Sequence, residues 1–152
     1  AHVTTLFDLY ALPTDFPGKN APAYPTTASG QRKAEFLENA LANDVAQRNF
    51  IPYFQVHEFE ALLLTELAPF AEWTDDGCIP AALQAVRATT APEDINDHPQ
   101  TAPSKRILAA MPGYAKTVHG PLIACDIGLN AMRQECPHFD AWLRQLEGLA
   151  RP

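Results

Sequence analysis

Four groups of polar residues have the types and spacing that chemistry requires. Asp8 stands near the end of the β-rich run Val3–Leu9. In open parallel sheets ligands bind at the carboxyl ends of the strands, and a carboxylate there suits a magnesium ion or a magnesium-bound phosphate. Tyr10, two residues on, is placed to line the same site. A second group, His57-Glu58-Phe59-Glu60, follows the run Phe50–Val56. Parallel neighbours end on one rim, so His57, Glu58 or Glu60 can converge with Asp8 on one cation. Residues i and i+2 of a helix do not share a face, so only one of Glu58 and Glu60 is expected to point at Asp8. The same acids also have a structural use, because a helix start favours negative charge.

The third group is the polar segment Ile95–Arg106. Ser104 is a candidate cap for a short helix, with Lys105 and Arg106 in its first turn. Cations oppose the dipole there, but free N–H groups with two cations are what a phosphate site is built from. The fourth group is Gly113–Pro121. Lys116 and His119 are three residues apart and can share a face, and His119 is a candidate base or ligand. Other catalytic signatures are absent: there is no GxSxG elbow, and no P-loop, GxGxxG or HExxH.

The elements that must position these groups follow from the hydrophobic pattern. The apolar content around Asp8 predicts a strand buried on both faces, as in a parallel sheet. Residues 11–28 carry Pro13, Pro17, Pro22 and Pro25 with Gly18, which reads as a long irregular loop. Ser29 caps a helix reaching about Arg48, with Phe36, Leu37, Ala40, Leu41 and Val45 on one stripe. A second buried strand spans Phe50–Val56, and His57 opens a further helix with Phe59, Leu62 and Leu63 inward. Helices are then expected over Ile79–Thr89, Ser104–Ala110, Pro121–Asp126, Asn130–Glu135 and Phe139–Leu149, with a polar loop over Ala91–Pro103. The order β-loop-α-β-α predicts one right-handed crossover and a parallel strand pair. The fold class is α/β: a small parallel sheet flanked by helices, with a helical C-terminal half.

The 152 residues correspond to one domain, and 47% hydrophobic content against 19% charged permits a sizeable core. A formal net charge of -7 argues against a general polyanion binder with a broad basic face. Cys78, Cys125 and Cys136 have no zinc spacing and read as free thiols of a cytoplasmic protein. No apolar run is long enough for a membrane span. The chain opens on a strand core without Met, so further residues are expected upstream.

Several phrases together resemble a family. They are Thr5-Leu6-Phe7-Asp8-Leu9-Tyr10 with Leu12-Pro13-Thr14-Asp15-Phe16-Pro17-Gly18; Phe50-Ile51-Pro52-Tyr53 leading into His57-Glu58-Phe59-Glu60-Ala61-Leu62-Leu63; and Ile95-Asn96-Asp97 through Thr101-Ala102-Pro103-Ser104-Lys105-Arg106-Ile107. His119-Gly120-Pro121-Leu122-Ile123-Ala124 and Cys136-Pro137-His138-Phe139-Asp140-Ala141-Trp142-Leu143 complete the set. The chain resembles the uncharacterised bacterial family called domain of unknown function 4276. That resemblance implies a longer N-terminal part, a neighbouring AAA- or ABC-type ATPase, and a distant likeness to Toprim nucleases, which hold magnesium with an early glutamate and a later Asp-x-Asp. In that comparison Asp8 matches the first aspartate, and Tyr10 stands where the second would be.

The expected function is therefore a Toprim-like, Mg²⁺- or Mn²⁺-dependent nuclease that works with an ATPase against foreign DNA. Asp8 with Glu58 or Glu60 would hold the metal, which would activate water. Lys105, Arg106 or Lys116 would neutralise phosphate oxygens, and His57 or His119 would carry the proton. The rival expectation is a non-catalytic interaction subunit of an ATPase complex, favoured by Tyr10 and the net acidity.

Overall fold

A computed structural model describes residues 1–95 and 98–149. Two short strands, β1 (Val3–Thr4) and β2 (Phe7–Asp8), lie parallel to β3 (Phe50–Ile51) and β4 (Phe54–Gln55). The register sets Val3 opposite Phe50 and Asp8 opposite Gln55. The two pairs are one strand pair with an interruption. The Thr5 N–H still donates to the Ile51 carbonyl at 3.4 Å, but the Tyr53 N–H turns to Thr5 Oγ1 at 2.9 Å. Pro52 lies at the break, and it has no N–H to give to a ladder. Beyond β2 the pairing continues through the Leu9 N–H to the Gln55 carbonyl at 3.0 Å and the Tyr10 N–H to the His57 carbonyl at 2.8 Å.

The crossover between the strands is the predicted loop followed by α1 (Gly30–Val45). The helix is capped by Ser29 and ends at Ala46 in a left-handed conformation. Ala34, Leu37 and Leu41 bury the inner face of α1 against Leu9, Phe54 and Val56. Phe16 and Tyr24 of the loop pack onto the same cluster, so the loop has its own anchors.

The remaining helices are α2 (Glu60–Leu63), a 3₁₀ helix Ala68–Trp73, α3 (Ala81–Arg87), a 3₁₀ turn Pro92–Asp94, α4 (Pro103–Ala110), α5 (Lys116–Ile127), α6 (Leu129–Glu135) and α7 (Pro137–Leu149). The protein is thus α/β, with small parallel strand pairs flanked by helices and a helical C-terminal half. α2, α4 and α5 share a core that includes Leu63, Ile107 and Ile123. On the far side Tyr53 stacks on Trp142 of α7, ring centroids 4.4 Å apart. Among the described residues no helix is long and apolar enough to cross a membrane. Cys78, Cys125 and Cys136 are free thiols.

Several boundaries differ from expectation. The first strand is not buried on both faces: Val3, Leu6 and Phe7 are exposed. Apolar composition cannot say on which side a strand has a neighbour, and this one forms the free edge. His57 does not open a helix; α2 starts at Glu60. Ser104 does not cap α4, because the cap position falls at Ala102 and Pro103 takes the first helical place. Pro121 lies inside α5, which begins at Lys116. The loss of one N–H partner is tolerated there within a helix packed on both α2 and the 3₁₀ helix at Ala68–Trp73.

Candidate functional site

The carboxyl ends of β2 and β4 lie side by side, as the parallel register requires. After β4 the chain turns sharply at His57, whose φ is +64°. Left-handed backbone is uncommon for a residue other than glycine. Room for the buried His57 ring comes from Gly30: a Cβ there would lie 2.6 Å from Val56 Cγ1 and 2.9 Å from His57 Cε1. The turn releases Glu58 and Glu60 from helical geometry. Glu58 precedes α2, so the rule that separates positions i and i+2 does not apply, and both carboxylates reach one ammonium. Lys116 Nζ lies 3.1 Å from Glu60 Oε1 and 3.9 Å from Glu58 Oε1. Both carboxylates are buried, whereas Lys116 is about half exposed and closes them off from solvent.

Each acid is also tied to a different element. Asp8 Oδ1 accepts the Phe59 N–H at 2.9 Å, at the start of α2. Glu58 Oε2 accepts the Ser104 N–H at 2.8 Å and its Oε1 accepts the Ser104 hydroxyl at 3.0 Å. Ser104 lies in the first turn of α4, so the helix start read as a phosphate site holds an anion from the protein itself. Glu60 is bound through Lys116 to α5. Tyr114, just before α5, buries its hydroxyl beside this group.

The electrostatics follow from three acids sharing one cation. Desolvation raises the Asp8 pKa, with the Phe59 N–H opposing it, the Glu58 charge adding to it and Lys116 subtracting. Burial likewise raises Glu60 above the usual glutamate value, against the hydrogen bond and charge of Lys116. Burial and the Glu60 and Glu58 charges push the Tyr114 phenol well above its ordinary range. A buried carboxyl with a raised pKa is suited to hold and donate a proton.

His119 accepts the Ala115 N–H on Nδ1 at 2.7 Å, so its neutral form carries the proton on Nε2. Its ring meets Trp73 edge-on at 5.0 Å. Together with Tyr114, Met111 and Asp75 they line a cleft of about 240 Å³ beside the acid group. Lys105 and Arg106 face elsewhere. They line a separate hollow against Leu83 and Val86 of α3, and Arg106 Nε donates to the Thr101 carbonyl at 2.7 Å. Asn96 and Asp97, part of the third polar group, lie outside the described residues.

The structure therefore brings Asp8, Glu58, Glu60 and Lys116 together, sets His119 nearby, buries His57 under α1, and separates Lys105 and Arg106 from the rim. Sequence reasoning missed Tyr114, Trp73 and the pairing of Glu58 with Ser104. Tyr114 and Trp73 carry no local signal beyond being aromatic, and the pairing spans 46 residues.

As arranged, these donors do not fit a divalent ion. Among the described residues no three acidic, histidine or cysteine side chains are grouped to hold one. Each Glu58 oxygen accepts a hydrogen bond from Ser104, and the Lys116 ammonium lies 3.1 Å from Glu60 Oε1, so protein donors already meet these acids.

The family model described as Domain of unknown function (DUF4276) matches residues 1–147. The chain belongs to this family. Neither the curated proteins nor the solved structures contain a match. The DUF4276 assignment agrees with the sequence resemblance over nearly the whole chain and brings no activity with it.

Proposed function

We propose that this DUF4276 chain acts as an interaction subunit of a larger assembly, with the AAA- or ABC-type ATPase implied by the family resemblance as its partner. One observation carries the reading: the Glu58 carboxylate fills the start of α4 through Ser104, where a phosphate would have to bind. Asp8, Glu58, Glu60 and Lys116 are engaged in holding β2, α2, α4 and α5 together. The net charge of -7 supports the same reading, because the Lys116 ammonium at the rim is already paired with Glu60 and Glu58.

A second reading, a Mg²⁺- or Mn²⁺-dependent nuclease of the bacterial cytoplasm directed at foreign DNA, is favoured by a different observation. Asp8 and Glu60 both have raised pKa values in a group with more acids than cations, and added positive charge would relieve that excess.

Calorimetric titration of Mn²⁺ into the wild-type chain and into Lys116→Met, alongside capture of the adjacent ATPase, separates the two. The interaction reading expects ATPase capture and no metal uptake by either protein. Metal uptake by the wild type that is lost in Asp8→Ala would overturn it in favour of the nuclease.

A further inference from the structure

Trp73 and Asp75 leave the chain on the same side. The 3₁₀ helix Ala68–Trp73 ends at Thr74, whose backbone is extended at φ -105° and ψ 148°. Side chains two apart on extended backbone point the same way. The Thr74 hydroxyl steadies this segment, 3.0 Å from the Ala71 carbonyl and 2.9 Å from the Cys78 carbonyl. Both side chains line the cleft of about 240 Å³ that Met111, Tyr114 and His119 complete.

The walls select the occupant. Three rings stand around the cleft: His119 meets Trp73 at 65° with centroids 5.0 Å apart, and Tyr114 at 31° with centroids 5.9 Å apart. Aromatic faces attract cations. Asp75 is exposed at the lip, and no hydrogen bond or ion pair ties its carboxylate to the described residues. His119 adds no positive charge while its Nδ1 accepts the Ala115 N–H. Behind Tyr114, burial and then the charges of Glu60 and Glu58 raise the phenol pKa, so the field is negative on that side too. The volume is below the range of about 300–1,000 Å³ that encloses a drug-sized ligand, and so suits one cationic group. A primary ammonium is strongly hydrated and gains less from ring walls. A quaternary ammonium has no N–H for the carboxylate. A guanidinium is planar and weakly hydrated, stacks on aromatic rings, and meets a carboxylate through paired N–H groups.

We propose that this cleft binds a guanidinium group, presented as an arginine side chain of a partner protein, with the carboxylate of Asp75 as its counter-ion and Trp73 as its stacking surface. The source of the arginine rests on the interaction reading above; the guanidinium site does not.

NMR of the indole N–H groups tests the site, since the chain has two tryptophans. Trp142, stacked on Tyr53, is the internal control. The probe is acetyl-arginine methylamide, with acetyl-lysine methylamide and free arginine titrated alongside. The blocked arginine is expected to shift the Trp73 signal saturably and leave Trp142 in place. Asp75→Asn and Trp73→Leu, the latter read at the Gly113 amide in the same cleft, should each weaken binding by about three- to fivefold. Both positions are exposed, so circular dichroism melts should not change. An unmoved Trp73 signal, equal affinity for the lysine analogue, or an Asp75→Asn protein that binds as well as the wild type overturns the site. Binding of free arginine but not of the blocked residue overturns the partner source. ATPase capture by a chain whose cleft takes no arginine sinks this inference and leaves the interaction reading standing. A cleft that takes blocked arginine in a chain that captures no ATPase supports the site and removes the ATPase as the partner.

Discussion

Glu58 and Ser104 are joined twice, carboxylate to backbone N–H at 2.8 Å and carboxylate to hydroxyl at 3.0 Å, across 46 residues of chain. The contact is buried on both sides. It fixes the start of α4 against the turn that follows β4, and it places a negative charge where the α4 dipole is positive.

Ser104→Ala keeps the N–H bond and removes the hydroxyl, leaving Glu58 Oε1 buried with only the more distant Lys116. A loss of about 1–3 kcal/mol of stability is expected, the cost of an unsatisfied buried acceptor. Denaturant unfolding of the two proteins measures it, and no change in midpoint would show that water reaches the site.

Lys116→Met leaves Glu58 and Glu60 without their cation. Because Lys116 is half exposed, the loss at neutral pH should lie between the surface and buried limits, at about 1–3 kcal/mol. The pH dependence is more diagnostic. Glu60 is raised in the folded state, so the folded chain binds its proton more readily than the unfolded chain. Stability therefore falls as pH climbs from the ordinary value of 4.5 toward the folded-state value. Removing the ammonium raises that value further. The gap between mutant and wild-type unfolding midpoints should narrow on acidification, and a gap independent of pH would remove Glu60 from the explanation.

His138 titrates in the opposite sense to a buried histidine without a partner. Desolvation lowers its pKa, but the hydrogen bond and charge of Glu38, 2.8 Å from Nε2, outweigh it and raise the pKa above 6.5. The stability this pair contributes is complete below the unfolded value of 6.5 and is lost as pH rises through the folded value. Proton NMR of the imidazole should show a midpoint above 6.5 that drops in Glu38→Gln; a midpoint below 6.5 in the wild type would mean desolvation dominates.

Much of the scaffold could be read from local pattern. The Ser29 cap and the spacing of Leu37 and Leu41 gave α1, and two apolar runs separated by a loop and helix gave the parallel pair. The errors share a physical origin. Exposure of Val3, Leu6 and Phe7 depends on what lies beside the strand, which composition does not encode. The turn at His57 uses positive φ without a glycine at that position; the signal sits 27 residues away, in Gly30, which makes room for the ring. Pro121 reads locally as a helix start, and its place inside α5 is a property of packing. The candidate site was half legible: the strand register put Asp8 beside the Glu58–Glu60 segment, but the partners that neutralise the acids come from α4 and α5, through contacts no local pattern announces.

Glu38 has a consequence for how this sheet can be enlarged. Its Oε1 accepts the Phe54 N–H at 2.9 Å, a group on the side of β4 turned away from β2. A helix side chain thus occupies the position at which another strand would pair. Growth of the sheet is blocked on that side and open along Val3–Phe7, so the polarity of any strand addition is already decided by one carboxylate on α1.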